Sequence, residues 1–189
     1  QCALIALQHR GQEAAGIASV DGEHIYHERG LGLVADALDP DAIDRLSHGH
    51  SAVGHVRYAT SGASELPNAQ PLVFTFKRGN VALAHNGNLV NAHILKRQLE
   101  AGGAIFQTTS DTEVVAHIIA RDPSSGMRGK IARALGRLVG GYTMCILTDD
   151  RLYAMRDPNG LRPMVLGTLD VAWCVASESC AFDAVGGQL

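Results

Sequence analysis

The chain has 189 residues, 46% of them hydrophobic, which is enough to bury one well-formed core; a net charge of −3 with scattered basic residues leaves no electrostatic footprint for nucleic acid. No apolar run approaches the ~18 residues of a membrane span, and no charged-then-apolar signal peptide opens the chain. Its four cysteines, Cys2, Cys145, Cys174 and Cys180, show neither a CxxC pair nor a zinc spacing, so free thiols in a reducing cytoplasm are expected.

Taken in order, Gln1 to Leu7 reads as an apolar helix closed by glycine at His9-Arg10-Gly11. Ala15 to Val20 and His24 to Glu28 flank Asp21-Gly22, a hairpin signal. Asp39-Pro40 pairs an N-cap with a first-turn proline and starts a short helix through Leu46. Ser51 to Val56 is a strand that runs into Arg57-Tyr58-Ala59-Thr60-Ser61-Gly62, and Leu72 to Phe76 pairs with Val81 to Ala84 around Arg78-Gly79-Asn80. Asn91 caps a helix through Leu99, closed by Gly102-Gly103. Ser110-Asp111-Thr112-Glu113 fits a capping box before the stripe Val114, Val115, Ile118, Ile119. A further helix covers Ile131, Leu135 and Leu138. Tyr142 to Thr148, Leu152 to Arg156, Met164 to Gly167 and Val171 to Ala176 then follow as strands with tight turns. Hairpin-joined strands with helices in separate groups predict an α+β domain with antiparallel sheets. Gln1 begins in mid-helix with neither a cap nor an initiating Met, and Ala181 to Leu189 is half-developed. The chain is therefore expected to be part of a longer protein.

The densest chemistry lies in Ala84-His85-Asn86-Gly87-Asn88-Leu89, where Asn86-Gly87 is expected to break the strand. An Asn amide beside a Gly N–H supplies two fixed donors for a carbonyl oxygen that gains negative charge; alone, the same dipeptide also marks a hairpin turn. Arg57, at a strand end, can grip a carboxylate through two parallel hydrogen bonds or serve as a structural arginine. Asp111, in the first turn of a helix, either stabilises that helix or binds an ammonium group. Together Arg57 and Asp111 match the two charges of a free amino acid, with Asn86 and Gly87 placed for its side-chain carbonyl. Among nine histidines, His48, His50 and His55 lie closest together without HExxH spacing, so no metal site is expected. Arg156-Asp157-Pro158-Asn159-Gly160 reads as a turn, with Arg162-Pro163 beside it, and Cys2 reads as a structural thiol in a helix.

Six motifs stand in one order: Leu7-Gln8-His9-Arg10-Gly11-Gln12-Glu13, Gly54 to Gly62, Ala84 to Leu89, Ser110 to Glu113, Arg156 to Pro163, and Ser177-Glu178-Ser179. The series closely resembles the class II glutamine amidotransferase domain of the amidophosphoribosyltransferase family, over nearly the whole chain. Glucosamine-6-phosphate synthase and asparagine synthetase resemble it more loosely. The resemblance implies an N-terminal nucleophile hydrolase fold, an αββα sandwich of two antiparallel sheets between helical layers. It implies that Arg57 binds the α-carboxylate of glutamine and Asp111 its α-ammonium. Asn86 and Gly87 would form the oxyanion hole, and Arg10, Gly11, Tyr58 and Thr60 would line or support the pocket.

The nucleophile of such domains is an N-terminal cysteine, set a whole strand ahead of the first helix. Cys2 stands too close to Arg10-Gly11 to match it, so this stretch by itself is expected to be inactive. A phosphoribosyltransferase domain after Leu189 would bind phosphoribosyl pyrophosphate with Mg²⁺ and use the ammonia in the first step of purine synthesis. No cofactor is implied for the glutaminase domain; a homo-oligomer is implied for the complete protein, and an iron–sulfur cluster in its remainder stays open. Two alternatives remain: a glutaminase serving another acceptor such as a sugar phosphate, or a glutamine-binding module without catalysis.

Overall fold

The computed structural model describes residues 1–58, 65–76, 79–123 and 126–189. Its first sheet grows from the hairpin of β1 (Ala14–Val20) and β2 (Ile25–Leu31). The turn forms because the Asp21 carboxylate accepts the N–H groups of Glu23 and His24 at 2.9 and 2.8 Å, while Gly22 takes a φ of +106°. Strand β3 (Ser51–Arg57) pairs antiparallel with the other side of β1, giving the order β2-β1-β3. Helices α1 (Cys2–Ala6), α2 (Val34–Ala37) and α3 (Pro40–Leu46) accompany this sheet; Leu4, Val34, Ala37 and Leu38 pack with Ala15 of β1. Asp39 caps α3 as predicted, its carboxylate accepting the Asp41 N–H.

The second sheet has the order β4-β5-β6-β7, all antiparallel: β4 (Leu72–Phe76), β5 (Gly79–Leu89), β6 (Gly140–Thr148) and β7 (Leu152–Arg156). Alternation along β5 divides its side chains between two cores. Val81, Leu83 and Leu89 join the apolar stripes of α4 (Ala92–Ala101), α5 (Thr112–Arg121) and α6 (Met127–Leu135). Ala82 and Ala84 face the other way and meet Ala18, Val20 and Val53 of the first sheet. Helix, sheet, sheet, helix is the resulting order of layers. Leu83 is 1% exposed, and truncating it to Ala would cost roughly 2–5 kcal/mol. A third hairpin, β8 (Val165–Leu169) with β9 (Ala172–Ala176), is followed by α7 (Cys180–Asp183), and Gln188 returns to pair with Thr168.

Several local expectations are corrected. Asn86-Gly87 does not break its strand: β5 continues to Leu89, because β6 pairs with it residue by residue from Val81↔Thr148 to Leu89↔Gly140. A partner strand overrides the turn preference of the dipeptide. Gly11 is not a left-handed helix stop; it is extended, after a short 3₁₀ turn at Gln8–Arg10. Asn91 stands at the start of α4 but caps elsewhere, its side chain bonding Arg137 O and the Val139 N–H. Glu113 does not close a capping box; its carboxylate accepts the N–H groups of Gln107 and Thr108. Leu138 lies beyond the end of α6. Ala181 to Leu189 is better ordered than expected, holding most of α7 and the Gln188 bridge. Thr60 and Arg78 fall outside the described residues.

Candidate functional site

A cavity of about 680 Å³ lies between the sheets, and Arg10, Arg57, Tyr58, Asn86, Gly87 and Asp111 all line it. Residues far apart in sequence thus converge, as charge matching required. Arg57 is the last residue of β3, 5% exposed, with Nη1 3.7 Å from Glu13 Oε2. Its backbone is set by Gly11, where a Cβ would stand 2.6 Å from the carbonyl carbons of Val56 and Arg57. Glycine is required there for close approach. Tyr58 follows, two-thirds exposed at the mouth. Arg10 donates to the carboxylate of Glu178, which also meets His9 Nε2 at 2.9 Å.

On the β5 side, register decides what is available. Leu83 pairs with Leu72, the first residue of β4, and the β4 ladder goes no further along β5. Beyond it, alternate N–H groups of β5 point past β4 rather than toward β6. The His85 N–H goes to Gln70 Oε1 at 2.7 Å, and the Leu89 N–H goes to Asp111 Oδ2 at 2.9 Å. Between them, no side chain among the described residues caps the Gly87 N–H. The opposite residue agrees: Tyr142, paired with Gly87, sends its own N–H and C=O to Asp157. Gly87 takes a φ of +150°, and a Cβ there would fall 2.2 Å from Gly141 O, so no other residue fits. Asn86 projects from the other face of the strand, its Nδ2 buried and without a partner. A buried donor left unsatisfied is costly unless a ligand completes it.

Asp111 is held from three sides: Leu89 N–H, His85 Nδ1 at 3.4 Å from Oδ1, and the Thr112 hydroxyl. Burial alone would raise its carboxyl pKa, but the His85 ring and these hydrogen bonds outweigh that and hold it below the ordinary value. His55, partly buried on β3, donates from Nε2 to His85 O at 3.0 Å. Desolvation lowers it to about 4, so it is neutral. Cys145 also lines the cavity, and burial pushes its thiol up to about 11, which leaves it protonated and poorly nucleophilic. Cys2 is exposed on α1. Arg162 and Pro163 reach the cavity from a loop knotted around Asp157, whose carboxylate accepts the N–H groups of Tyr142, Asn159, Leu161 and Arg162.

The sequence did not reveal the roles of His85, Gln70 and Glu178. His85 and Glu178 lie inside motifs that had been singled out, while Gln70 beside Pro71 carried no signal. Among the described residues, no group of three or more His, Cys, Asp and Glu could hold a metal ion, and no helix is long and apolar enough to cross a membrane.

A family profile described as a glutamine amidotransferase domain matches residues 55–184. The chain is 48% identical over 184 residues to the amidophosphoribosyltransferase of Bacillus subtilis, covering 97% of this chain and 38% of that protein. It is 48% identical over 189 residues to the amidophosphoribosyltransferase of Archaeoglobus fulgidus, covering 98% and 40%. The solved glutamine phosphoribosylpyrophosphate amidotransferase from B. subtilis, complexed with ADP and GMP, superposes with a TM-score of 0.93 at 47% identity over 98% of this chain and 40% of its own. A solved structure described as a predicted glutamine amidotransferase from Pseudomonas aeruginosa, at 15% identity and a TM-score of 0.53, shares the fold alone. This chain spans about two fifths of the length of the amidophosphoribosyltransferases it matches.

Proposed function

This chain belongs to the glutamine amidotransferase domain family, and from that premise we propose that its cavity binds glutamine and hydrolyses the side-chain amide. The ammonia released would be used by an amidophosphoribosyltransferase to make 5-phosphoribosylamine. The observation that carries the reading is one cavity lined by an arginine, a carboxylate and two uncapped donors, Asn86 Nδ2 and the Gly87 N–H. Arg57 takes the α-carboxylate in its planar fork, and Asp111, already ionised, takes the α-ammonium. The side-chain amide then reaches the β5 donors. When a thiolate adds to the amide carbon, the carbonyl π pair moves onto oxygen, and Asn86 and Gly87 stabilise that charge in place. Collapse breaks the C–N bond, and ammonia leaves with a proton from the nucleophile's own α-amine. Water then cleaves the thioester and frees glutamate.

The thiolate would come from an N-terminal cysteine on a strand ahead of α1. Space for such a strand supports this. The cavity is bounded by Ala52 to Arg57 of β3 on one side and by Val175, Ala176 and Ser177 at the end of β9 on the other. Among the described residues β3 pairs only with β1, and β9 only with β8, so each has an edge to offer. Arg10, Gly11, Tyr58 and Thr60 are assigned to lining or supporting the pocket. Phosphoribosyl pyrophosphate and Mg²⁺ belong to a phosphoribosyltransferase part, in a cytoplasmic homo-oligomer.

The test is an assay of the protein from its natural source, with its N-terminus sequenced. Release of glutamate and ammonia by a chain beginning at a free cysteine, with phosphoribosylamine formed when phosphoribosyl pyrophosphate and Mg²⁺ are added, is expected. Glutamine binding without hydrolysis would make the site a binding module. Hydrolysis coupled only to a sugar phosphate would assign the other acceptor.

A further inference from the structure

His85 belongs to neither donor pair nor charge pair, yet its ring lies between them. It sits on the helix-side face of β5, as Gly87 does two residues on, and its side chain is 1% exposed. Nδ1 is 3.1 Å from Thr112 Oγ1 and 3.4 Å from Asp111 Oδ1. Nε2 is buried without a partner and would stand 3.0 Å from a Cβ on Gly87. One end of the ring therefore meets the carboxylate, and the other lies against the glycine whose N–H faces the cavity. The backbone of His85 is fixed as well, its N–H by Gln70 and its carbonyl by His55. Gln70 Nε2 closes the arrangement by donating to Thr112 Oγ1 at 3.3 Å. An imidazole buried this completely cannot rearrange without leaving a polar group unpaired.

We infer that His85 is a positioning residue that locks Asp111 and the Gly87 peptide into one rigid unit, so that the ammonium seat and the carbonyl seat keep a fixed separation. The inference rests on the glutaminase reading above. The Asp111 carboxylate selects the Nδ1–H tautomer, because only that form donates to it. The bare Nε2 then packs against Gly87 as a spacer.

Three variants of the full-length protein test this by kinetics with glutamine. His85→Ala removes both contacts and is expected to raise KM and lower kcat, each by about tenfold or more. His85→Asn places an amide nitrogen near Nδ1 and nothing near Nε2; KM should return toward wild type while kcat stays low. His85→Gln reaches toward Nε2 and should give the opposite split. Ala and Asn variants that melt like wild type and show the same KM and kcat overturn the proposal, as does a uniform loss that neither amide partly rescues. If none of the variants folds, a long-range ¹H–¹⁵N correlation spectrum of wild-type histidines decides. Nδ1–H for His85 supports the lock, and Nε2–H overturns it. A wild-type protein that neither hydrolyses nor binds glutamine defeats the glutaminase reading instead, and the tautomer still reports on the contact with Asp111.

Discussion

Strands β5 and β3 contact one another across the sandwich and both feed the cavity, yet they are held differently. β5 is paired along its length with β6 and over its first half with β4, and Gln70 and Asp111 hold its N–H groups beyond that point. Among the described residues β3 is paired on one side only, and Arg57, the proposed carboxylate-binding residue, sits at its very end. Groups that must meet a developing charge gain most from rigidity, because donors already in place need no reorganisation. A guanidinium that holds a ground-state carboxylate tolerates more latitude. The comparison predicts that damage to the β5 donors Asn86 and Gly87 falls on the chemical step and damage to Arg57 of β3 falls on binding.

The largest effect should come from Gly87→Ala. Its methyl meets Gly141 O at 2.2 Å in a backbone conformation closed to alanine. A loss of about 4 kcal/mol in transition-state stabilisation, with a lowered melting temperature, is expected from glutaminase kinetics and thermal unfolding. Asn86→Ala should cost about 3 kcal/mol, nearly all in kcat, with stability held. An unchanged kcat would remove Asn86 from the oxyanion hole. On β3, His55 makes folding acid-sensitive. Its pKa is about 4 in the folded chain against 6.5 unfolded, so between those values the unfolded chain binds a proton that the folded one does not. Stability should therefore fall as pH drops from about 6.5 to 4, by up to about 3 kcal/mol, and recover as pH rises. Urea titrations of wild type and His55→Gln across that range should diverge; parallel lines would show that the ring is not held neutral. Smallest is Arg57→Lys, which keeps charge but loses the fork. KM for glutamine should rise about tenfold, about 1.4 kcal/mol, with kcat close to wild type. A fall in kcat alone would break the division between the strands.

The α+β class was legible because hairpin chemistry is local: Asp21-Gly22 and the Asp39-Pro40 cap carry their geometry in adjacent residues. Asn86-Gly87 was misread as a strand break for the converse reason. Whether that dipeptide turns or continues depends on Gly140 to Thr143, more than fifty positions away, and no local rule reports it. Helices α2 and α7, of four residues each, are too short to show a period of 3.6. Arg57, Asp111, Asn86 and Gly87 could be grouped from charge matching and motif order. The caps that leave one N–H exposed could not, since they depend on register.

Glu178 adds an element of timing. Its carboxylate ties down Arg10, 168 residues earlier, and His9 with it. A chain emerging from the ribosome can form the first hairpin early, because its contacts are local. The clasp on Arg10 must wait until Glu178 has been made. Completion of this wall of the pocket thus follows synthesis of both sheets, whose last strand ends at Arg156, and a nascent chain would acquire the proposed glutamine site only after that point.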